Sequence, residues 1–381
     1  MTTIIQAYKI IKPTSRYKFQ SVGEEKERGM EEEVYVRLAG HLDRAVNGVP
    51  MAPELLEILR ILYPGEEAEV ALSLPIYGKK TLAELQEELP EKSGRLEKIL
   101  ADMAARGTVE TVQKPGRERT YRLLPSVVGF AEVPFLSGED TPEKRRLARL
   151  WKSYLDSGFA EELARELPLI RVIPVGESLR DQSQVLPFDA LPELLDKVDS
   201  CAVGHCPCRQ MAAYRGEGCD HPTERCMHFG NLARYLVETG KARALTKEEA
   251  LEMLQRATEE GLVHVCDNVN GHLRTICNCC PCCCAFFRAR FSRGLQTISP
   301  SNYVAAVDGE SCVGCGTCEE RCPVKAVRVE DETAVVDPSA CIGCGVCTPH
   351  CGAGDAIRLR LRESLSPPPD LQEFVSRRLK A

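Results

Sequence analysis

Cysteine is absent from the first 200 residues of this 381-residue chain, although the remaining residues contain 20 cysteines. Disulfide frameworks belong mainly to short secreted domains, so this one-sided distribution in a long chain argues against one. In a reducing compartment, dense cysteines at short spacing bind metal more often than they form disulfides. The distribution therefore predicts a front half without metal and a back half that binds it.

Long apolar runs are also absent. No stretch approaches the roughly 20 apolar residues that a membrane-spanning helix needs. The first residues show no basic segment followed by an apolar core and a small-residue cleavage site, which a secretory signal would have. We therefore expect an unexported, cytoplasmic protein without a membrane span. The net charge of −7 gives no general attraction to nucleic acid or to anionic membranes.

Motifs of common catalytic sites are missing as well. The chain has no glycine-rich nucleotide loop after a strand, no P-loop and no nucleophile–base signature. Whether the protein is an enzyme stays open at this stage. The composition fits an electron-transfer component of an oxidoreductase better than a stand-alone enzyme, because in such proteins the cofactors carry the chemistry.

With 43% hydrophobic and 28% charged residues, the composition is that of a globular protein with two or three domains. The charged run 24–33 indicates a solvated face or a loose arm, and helix patterns followed by two strands around KPGRE resemble a winged-helix domain. The predicted fold class is α+β multidomain. The predicted parts are an N-terminal arm (1–50), a winged-helix-like domain (51–130), a helical linker (131–185), a mainly α, cysteine-rich domain (186–298), a ferredoxin-like domain (299–362) and a helical tail (363–381).

A winged helix raises the question of DNA binding. Residues 53–124 contain eleven Lys and Arg against thirteen Asp and Glu, whereas DNA-binding domains usually carry a basic surface. The candidate recognition helix and wing supply a few basic residues: Arg95, Lys98, Arg106, Lys114, Arg117, Arg119 and Arg122. The charge balance favours a protein-docking or spacer module, with nucleic acid the less favoured partner.

The C-terminal region contains an internal repeat with a 29-residue offset. SCVGCGTCEERCP (311–323) and ACIGCGVCTPHCG (340–352) share the spacing C-x2-C-x2-C-x3-C. This spacing resembles that of bacterial-type ferredoxins, and the resemblance covers residues 301–362. It implies a βαβ repeat with two [4Fe–4S] clusters. Zinc ribbons also use C-x2-C pairs, but two complete four-cysteine runs favour the ferredoxin.

The resemblance also implies a ligand set, because in this family the fourth cysteine of each run ligates the other cluster. Carried over by position, the first cluster takes Cys312, Cys315, Cys318 and Cys351. The second takes Cys341, Cys344, Cys347 and Cys322. One departure is that Cys322 precedes a proline whereas Cys351 precedes a glycine.

The middle of the chain holds the other twelve cysteines. In its first group Cys206, Cys208, Cys219 and Cys226 suffice for one four-ligand site, and His205, His221 and His228 could replace one ligand. For Arg209, directly after the Cys-Pro-Cys step, we expect a carboxylate partner rather than a cluster sulfide. Two predicted helices, 224–240 and 245–261, would support these loops, followed by a strand with a structural His264.

The second group is CNCCPCCC (277–284). Adjacent cysteines point in different directions, so Cys279 and Cys280 are not expected to ligate the same site unless the loop is irregular. One ligand set is Cys277, Cys279 or Cys280, Cys282, and Cys283 or Cys284, and the role of the surplus thiols stays open. The candidate metal ligands of the middle are Cys206, Cys208, Cys219, Cys226, Cys277, Cys279, Cys280, Cys282, Cys283 and Cys284. They would hold one or two further [4Fe–4S] clusters, or zinc.

This layout resembles the middle of uncharacterised iron–sulfur proteins of anaerobes, a resemblance that implies no activity. The sequence thus predicts an iron–sulfur electron-transfer protein, a subunit or partner of an anaerobic oxidoreductase system. A redox- or iron-sensing winged-helix regulator is the alternative. A third hypothesis is a purely structural zinc centre attached to an ordinary ferredoxin.

Overall fold

The computed structural model describes residues 26–165, 167–175, 191–271, 273–362 and 366–380 of the chain. These residues form an α+β protein in which helices surround several small sheets and one large mixed sheet. No helix in these ranges is long and apolar enough to cross a membrane.

The front module consists of short helices and a three-stranded antiparallel sheet of order β1-β3-β2. The threonine at the start of α4 forms a capping box with Glu84, and Gly107 (φ 94°) ends α5 in the left-handed region that glycine tolerates. The elements are α1 (Lys26–Leu42), α2 (Pro53–Leu62), α3 (Glu67–Ser73), β1 (Lys80–Thr81), α4 (Leu82–Glu88), α5 (Leu96–Arg106), β2 (Val109–Val112) and β3 (Thr120–Leu123).

Residues 26–42 of the predicted N-terminal arm form a helix on which Glu32 and Glu33 are exposed, so this segment is a solvated helix face rather than a loose arm. Helix α1 buries Tyr35, Leu38 and Leu42 in the same hydrophobic core as α2. These residues follow the acidic run at helical spacing, so the charge of residues 24–33 concealed an amphipathic helix. Residues 1–25, also assigned to the arm, lie outside the described ranges.

The segment predicted as a helical linker contains helices and a strand: α6 (Pro142–Tyr154), α7 (Ala160–Leu163) and β4 (Ile170–Val172). Trp151 on α6 packs among aromatic rings, with centroids 6.0 Å from Phe130 and 5.8 Å from Phe159. Strand β4 belongs to the large sheet of the middle region. This segment is therefore an integral part of the fold.

The middle region is not mainly α, contrary to the prediction. Its core is a seven-stranded sheet of order β10-β4-β8-β9-β6-β5-β7, in which β10 and β4 are parallel and the other pairs antiparallel. Its elements are α8 (Leu191–Asp196), β5 (Cys201–His205), α9 (Pro207–Tyr214), β6 (Glu224–Phe229), α10 (Gly230–Glu238), β7 (Arg243–Leu245), α11 (Lys247–Glu259), β8 (Val263–Asp267), β9 (Thr275–Cys279), α12 (Ala285–Arg293) and β10 (Ile298–Ser299).

The cause of this error is burial on both faces of the sheet. Strands β5 and β8 each have four consecutive buried residues, so they lack the alternation of apolar and polar residues that marks a half-exposed strand. For the same reason the sequence predicts a helix over 224–240. In the structure residues 224–229 form strand β6, and only residues 230–238 are helical.

The C-terminal region has the strands that the ferredoxin resemblance implies. Strand β11 pairs with β14 and β12 pairs with β13, both antiparallel, and among the described residues only the first repeat contains a helix, α13. The elements are β11 (Tyr303–Val307), α13 (Thr317–Arg321), β12 (Val327–Glu330), β13 (Thr333–Val336), β14 (Ile357–Leu361) and the tail helix α14 (Leu371–Lys380).

The tail and the C-terminal region pack on the rest of the chain. Phe374 and Val375 of α14 join the core of the front module, and the buried Arg378 donates to the carbonyl oxygen of Glu162 at 2.7 Å. Ile342 and Val346, next to the second cysteine run, lie in the same core. One hydrophobic core therefore connects the front module, the middle and the C-terminal region.

Candidate metal centres

The structure brings Cys312, Cys315, Cys318 and Cys351 together around one small cavity. The first three lie on the loop between β11 and α13 and at the start of that helix, and Cys351 comes from the second repeat. Gly314 adopts φ 60°, and a Cβ there would lie 2.4 Å from the carbonyl oxygen of Glu332. The loop can therefore close only with glycine at this position.

Cys341, Cys344 and Cys347 are buried and lie close to Cys322 of the first repeat. Burial, and to a smaller extent the neighbouring thiols of Cys322 and Cys341, raise the pKa of Cys344 to about 12. A Cβ at Gly343 would lie 2.2 Å from the carbonyl oxygen of Tyr303, so this loop too requires glycine.

A backbone amide donates to one sulfur atom in each of these two sets of thiols. The amide of Ala334 donates to Cys312 Sγ at 3.4 Å, and the amide of Ala326 donates to Cys322 Sγ at 3.1 Å. Such N–H···S bonds favour the charged thiolate form that a metal requires. Eight thiols in two close sets, each with an amide donor, have the chemistry of two iron–sulfur sites.

The middle region contains a compact set of four cysteines. The Sγ atoms of Cys219, Cys280, Cys282 and Cys283 all lie within 4.8 Å of one another, and those of Cys219 and Cys280 are 3.9 Å apart. We call these residues the four-thiol group. Cys282 is exposed to solvent and Cys280 and Cys283 are buried, so the group lies at the protein surface.

A second set of six cysteines lies deeper. Hydrogen-bonding contact with Cys208 raises the pKa of Cys206 well above its ordinary value, and contact with Cys277 does the same for Cys226. Contact with Cys208, then Cys279, lowers the pKa of Cys284 to about 5. These contacts form a continuous chain of thiols, which we call the six-thiol group: Cys206, Cys208, Cys226, Cys277, Cys279 and Cys284.

The two groups combine cysteines from both predicted loops, whereas the sequence interpretation took each loop as one site. Cys226 on β6 faces Cys277 on β9 in the register of the sheet. Cys219 leaves the first loop to join Cys280 and its neighbours. Cys279 belongs to the six-thiol group and Cys280 to the four-thiol group, so the two adjacent cysteines lie in different groups.

Arg209 lies between the two groups and is 2% exposed. It donates to the carbonyl oxygens of Pro222 (2.8 Å) and Asn278 (2.9 Å). The pKa of Cys280 is lowered to about 3, mainly by a hydrogen bond with Cys283 and next by the charge and hydrogen bond of Arg209. The expected carboxylate partner is absent among the ion pairs of the described residues, and the guanidinium instead contacts backbone and thiol.

The histidines of these loops have other partners. His205 Nδ1 lies 2.8 Å from Thr223 Oγ1, and His228 Nδ1 lies 3.4 Å from Thr275 Oγ1. His264 is buried between Thr258 and Asn278, as expected for a structural histidine. In the described part of the chain no histidine, His221 included, belongs to the four-thiol group.

Two further cysteines, Cys201 and Cys266, lie in a separate apolar core with Met227 and Phe229. Cys266 Sγ also contacts the carbonyl oxygen of Asp267 at 3.3 Å. Their surroundings are those of small hydrophobic side chains.

Comparison with protein families identifies the C-terminal region. A family model described as a 4Fe-4S dicluster domain matches residues 305–352, and this domain holds two [4Fe–4S] clusters. No curated protein and no solved structure matches the chain. The winged-helix interpretation of residues 51–130 therefore gains no support from these comparisons.

Proposed function

We propose that this chain is an iron–sulfur electron-transfer protein that carries metal in its middle region as well as in its dicluster domain. One observation supports this most directly. Ten cysteines from distant loops converge in two adjacent groups, and Cys279 and Cys284 of the six-thiol group share a hydrophobic core with Cys344 of the second cysteine run. Each [4Fe–4S] cluster exchanges one electron at a time.

For the dicluster domain we propose the ligand sets that the ferredoxin resemblance implies. The shared cavity supports Cys312, Cys315, Cys318 and Cys351 for the first cluster. The mutual contacts of the buried thiols support Cys341, Cys344, Cys347 and Cys322 for the second. For the middle we propose one iron–sulfur cluster at each thiol group, with two surplus cysteines in the six-thiol group.

Contacts between the dicluster domain and the middle region suggest an order of the sites. The amide of Val175 donates to the carbonyl oxygen of Cys344 at 3.0 Å, and Cys344 shares a core with Cys279 and Cys284. Arg321 donates to the carbonyl oxygens at the end of α11, Thr258 and Glu259. In this proposal the second cluster, rather than the first, exchanges electrons with the central groups.

The first cluster site, in contrast, faces solvent. Cys315 is exposed, and Val313 beside it is 65% exposed, an unusual position for a large apolar side chain. A small apolar spot beside a cluster is suited to transient contact with a redox partner. We propose that the redox partner docks here, within a reducing, anaerobic cytoplasm, since exposed thiolates such as Cys282 and Cys315 are readily oxidised.

The front module, which we continue to interpret as winged-helix-like, serves in this proposal as a docking and support module. Ala104 of α5 and Leu124, which follows β3, pack against α10, and Tyr235 donates to the carbonyl oxygen of Ala104 at 2.8 Å. Its basic residues are largely paired with carboxylates, including Arg106 with Glu67 and Arg119 with Glu238. These pairs leave little positive charge for a DNA backbone.

The alternative function is a redox- or iron-sensing regulator. It is favoured only by the arrangement of four short helices, α2 to α5, beside a three-stranded sheet in the front module. A gel-shift assay against random genomic DNA fragments, with oxidised and reduced protein over a range of salt, would test it. Retention that depends on both salt and oxidation state would support the regulator.

The experiment that tests the main proposal is a determination of iron, acid-labile sulfide and zinc per chain in anaerobically purified protein. Since each cubane contains four irons, we expect about sixteen irons with matching sulfide and no zinc, and about twelve would mean that only one of the two thiol groups holds a cluster. About eight irons with one or two zincs would instead mean that the centre is structural, and would overturn the proposal for the middle region.

A further inference from the structure

We propose that a cavity beside the central thiol groups binds a small organic anion with an apolar body. The cavity, which we call the central cavity, has a volume of about 430 Å³ and lies between α6, α9 and α12. This inference rests on the proposed function, because the cavity is lined by cysteines of both proposed metal sites. Binding of an anion in the cavity can nevertheless be tested separately from the presence of the clusters.

The position of the cavity relative to the cysteines is the first argument. Cys208 of the six-thiol group and Cys283 of the four-thiol group both line it. A molecule in the cavity would therefore touch both groups at once. Electron transfer alone does not require such a space, because a cluster that only relays electrons is usually enclosed by packed side chains.

Size and wall chemistry are the second argument. Small-molecule sites have volumes of about 300–1,000 Å³ and are mostly apolar with a few polar groups, and the central cavity falls within this range. Trp151, Leu155 and Met211 form an apolar wall. Phe291, stacked on Phe287 and 48% exposed, lies at the mouth. These surfaces suit an apolar ligand body.

Charge is the third argument, and it selects an anion. The lining contains four cationic side chains, Lys152, Arg215, Arg288 and Arg293, and one carboxylate, Asp156. Asp156 pairs with Lys152, and Glu161 pairs with Arg293.

Arg215 and Arg288, in contrast, share one carboxylate. Glu217 Oε2 accepts from Arg215 at 3.0 Å and from Arg288 at 3.3 Å. One carboxylate between two guanidinium groups leaves a positive charge uncompensated at the cavity. A ligand carboxylate would complete the pairing through a charge-assisted hydrogen bond.

The chain carries its own reporter of occupancy. Trp151, the only tryptophan, lines the cavity, and its indole Nε1 is buried without a hydrogen-bond partner in the described part of the chain. A ligand that enters the cavity would change the surroundings of this ring. Tryptophan fluorescence therefore reads out the cavity without any added label.

The test uses the full-length, anaerobically purified protein and two probe pairs, benzoate with benzamide and hexanoate with hexanamide. Binding is measured by Trp151 fluorescence and by calorimetry. We expect at least one acid to bind about tenfold or more tightly than its neutral amide, because a charged hydrogen bond contributes about that factor. If neither acid binds more tightly than its amide, the proposal is wrong.

Variants assign the binding to this cavity. Arg288→Ala should weaken binding of the acid about tenfold, whereas Glu217→Gln, which frees both guanidinium groups, should strengthen it severalfold. Arg290→Ala is the matched control, since Arg290 lies on the same helix but pairs with Gln296 and does not line the cavity. Equal affinities in Arg288→Ala, Glu217→Gln and the unchanged protein would overturn the proposal.

Iron and sulfide in the same samples separate this inference from the proposed function. If the acid binds selectively but the chain holds only about eight irons, the proposal of an anion site is supported and the proposal of central clusters is wrong. If the chain holds about twelve or more irons but does not bind the acid selectively, central clusters are supported and the proposal of an anion site is wrong.

Discussion

Arg209 donates from its guanidinium to the carbonyl oxygen of Asn278, at 2.9 Å, in the buried space between the two thiol groups. The bond connects α9, which begins at Pro207 within the Cys-Pro-Cys step, to the end of β9, where CNCCPCCC begins. Since the two loops are 69 residues apart in the chain, this contact holds together ligands that no local structure could align.

The first prediction concerns that contact. In Arg209→Met the carbonyl oxygens of Pro222 and Asn278 lose their donor and the thiols lose a neighbouring positive charge. We expect a stability loss of about 3 kcal/mol and a loss of central iron, with the eight dicluster cysteines still loaded. Iron analysis and EPR spectroscopy of the reduced protein measure both effects. Arg243→Ala, at an exposed ion pair, is the control.

The outcome that contradicts the prediction for Arg209 is an unchanged central iron content with an unchanged unfolding transition. The hydrogen bonds of the Arg209 guanidinium would then contribute neither to stability nor to metal binding.

The second prediction separates the two central groups. With Cys226 taken as a ligand rather than as one of the two surplus cysteines, Cys226→Ser should remove the six-thiol site, and Cys219→Ser should remove the four-thiol site. Each change should cost about four irons, because a serine oxygen is a poorer ligand for iron than a thiolate. Iron and sulfide analysis of both variants, and of the double variant, gives the counts. Cys201→Ser, in an apolar core, should retain all of the iron. If either single variant lost all central iron, the ten cysteines would form one interdependent site.

The third prediction concerns the exposed end of the dicluster domain. Val313→Glu places a charge beside Cys315 and should slow reduction by a protein donor such as a flavodoxin about tenfold, while reduction by dithionite stays unchanged. Stopped-flow absorbance measures both rates. Val237→Glu, at an apolar residue that is also exposed but lies on α10, is the matched control. Equal slowing by both substitutions would argue against a docking site at Val313.

The fourth prediction concerns pH. Burial lowers the pKa of His264 from 6.5 to about 4, so between these values the unfolded chain binds a proton that the folded protein does not. This contribution to stability is present above pH 6.5 and is lost as the pH falls toward 4, by up to about 3 kcal/mol. In His264→Gln the dependence of the unfolding free energy on pH should be shallower between pH 7 and 5. Denaturant unfolding at several pH values tests this, and parallel pH profiles would contradict it.

The dicluster domain could be predicted from the sequence almost completely. Only two or three residues separate neighbouring cysteines of a run, so one tight glycine loop determines their geometry, and the repeat of the spacing indicates two such loops. Buried residues alternate with less buried ones in β12 and β14, which makes these strands recognisable in the sequence. Only the absence of a helix from the second repeat departs from the implied pattern.

The middle region could be predicted only in part, since its cysteines and several helices were recognisable but its sheet was not. Its strands are buried on both faces, and their periodicity carries no signal. Helix α1 was missed for a different reason: an acidic run precedes its apolar face, and the core that covers this face comes from other parts of the chain.

The amino-acid sequence by itself thus determined that the C-terminal region holds two [4Fe–4S] clusters, because the ligand type and the short spacing are local properties. The tertiary structure decided which cysteines meet. Cys226 lies beside Cys277 because β6 pairs with β9, and Cys219 meets Cys280 because the sheet brings their loops together. Pairing between strands some 50 residues apart depends on the cooperative packing of the whole sheet, which no short stretch of sequence encodes.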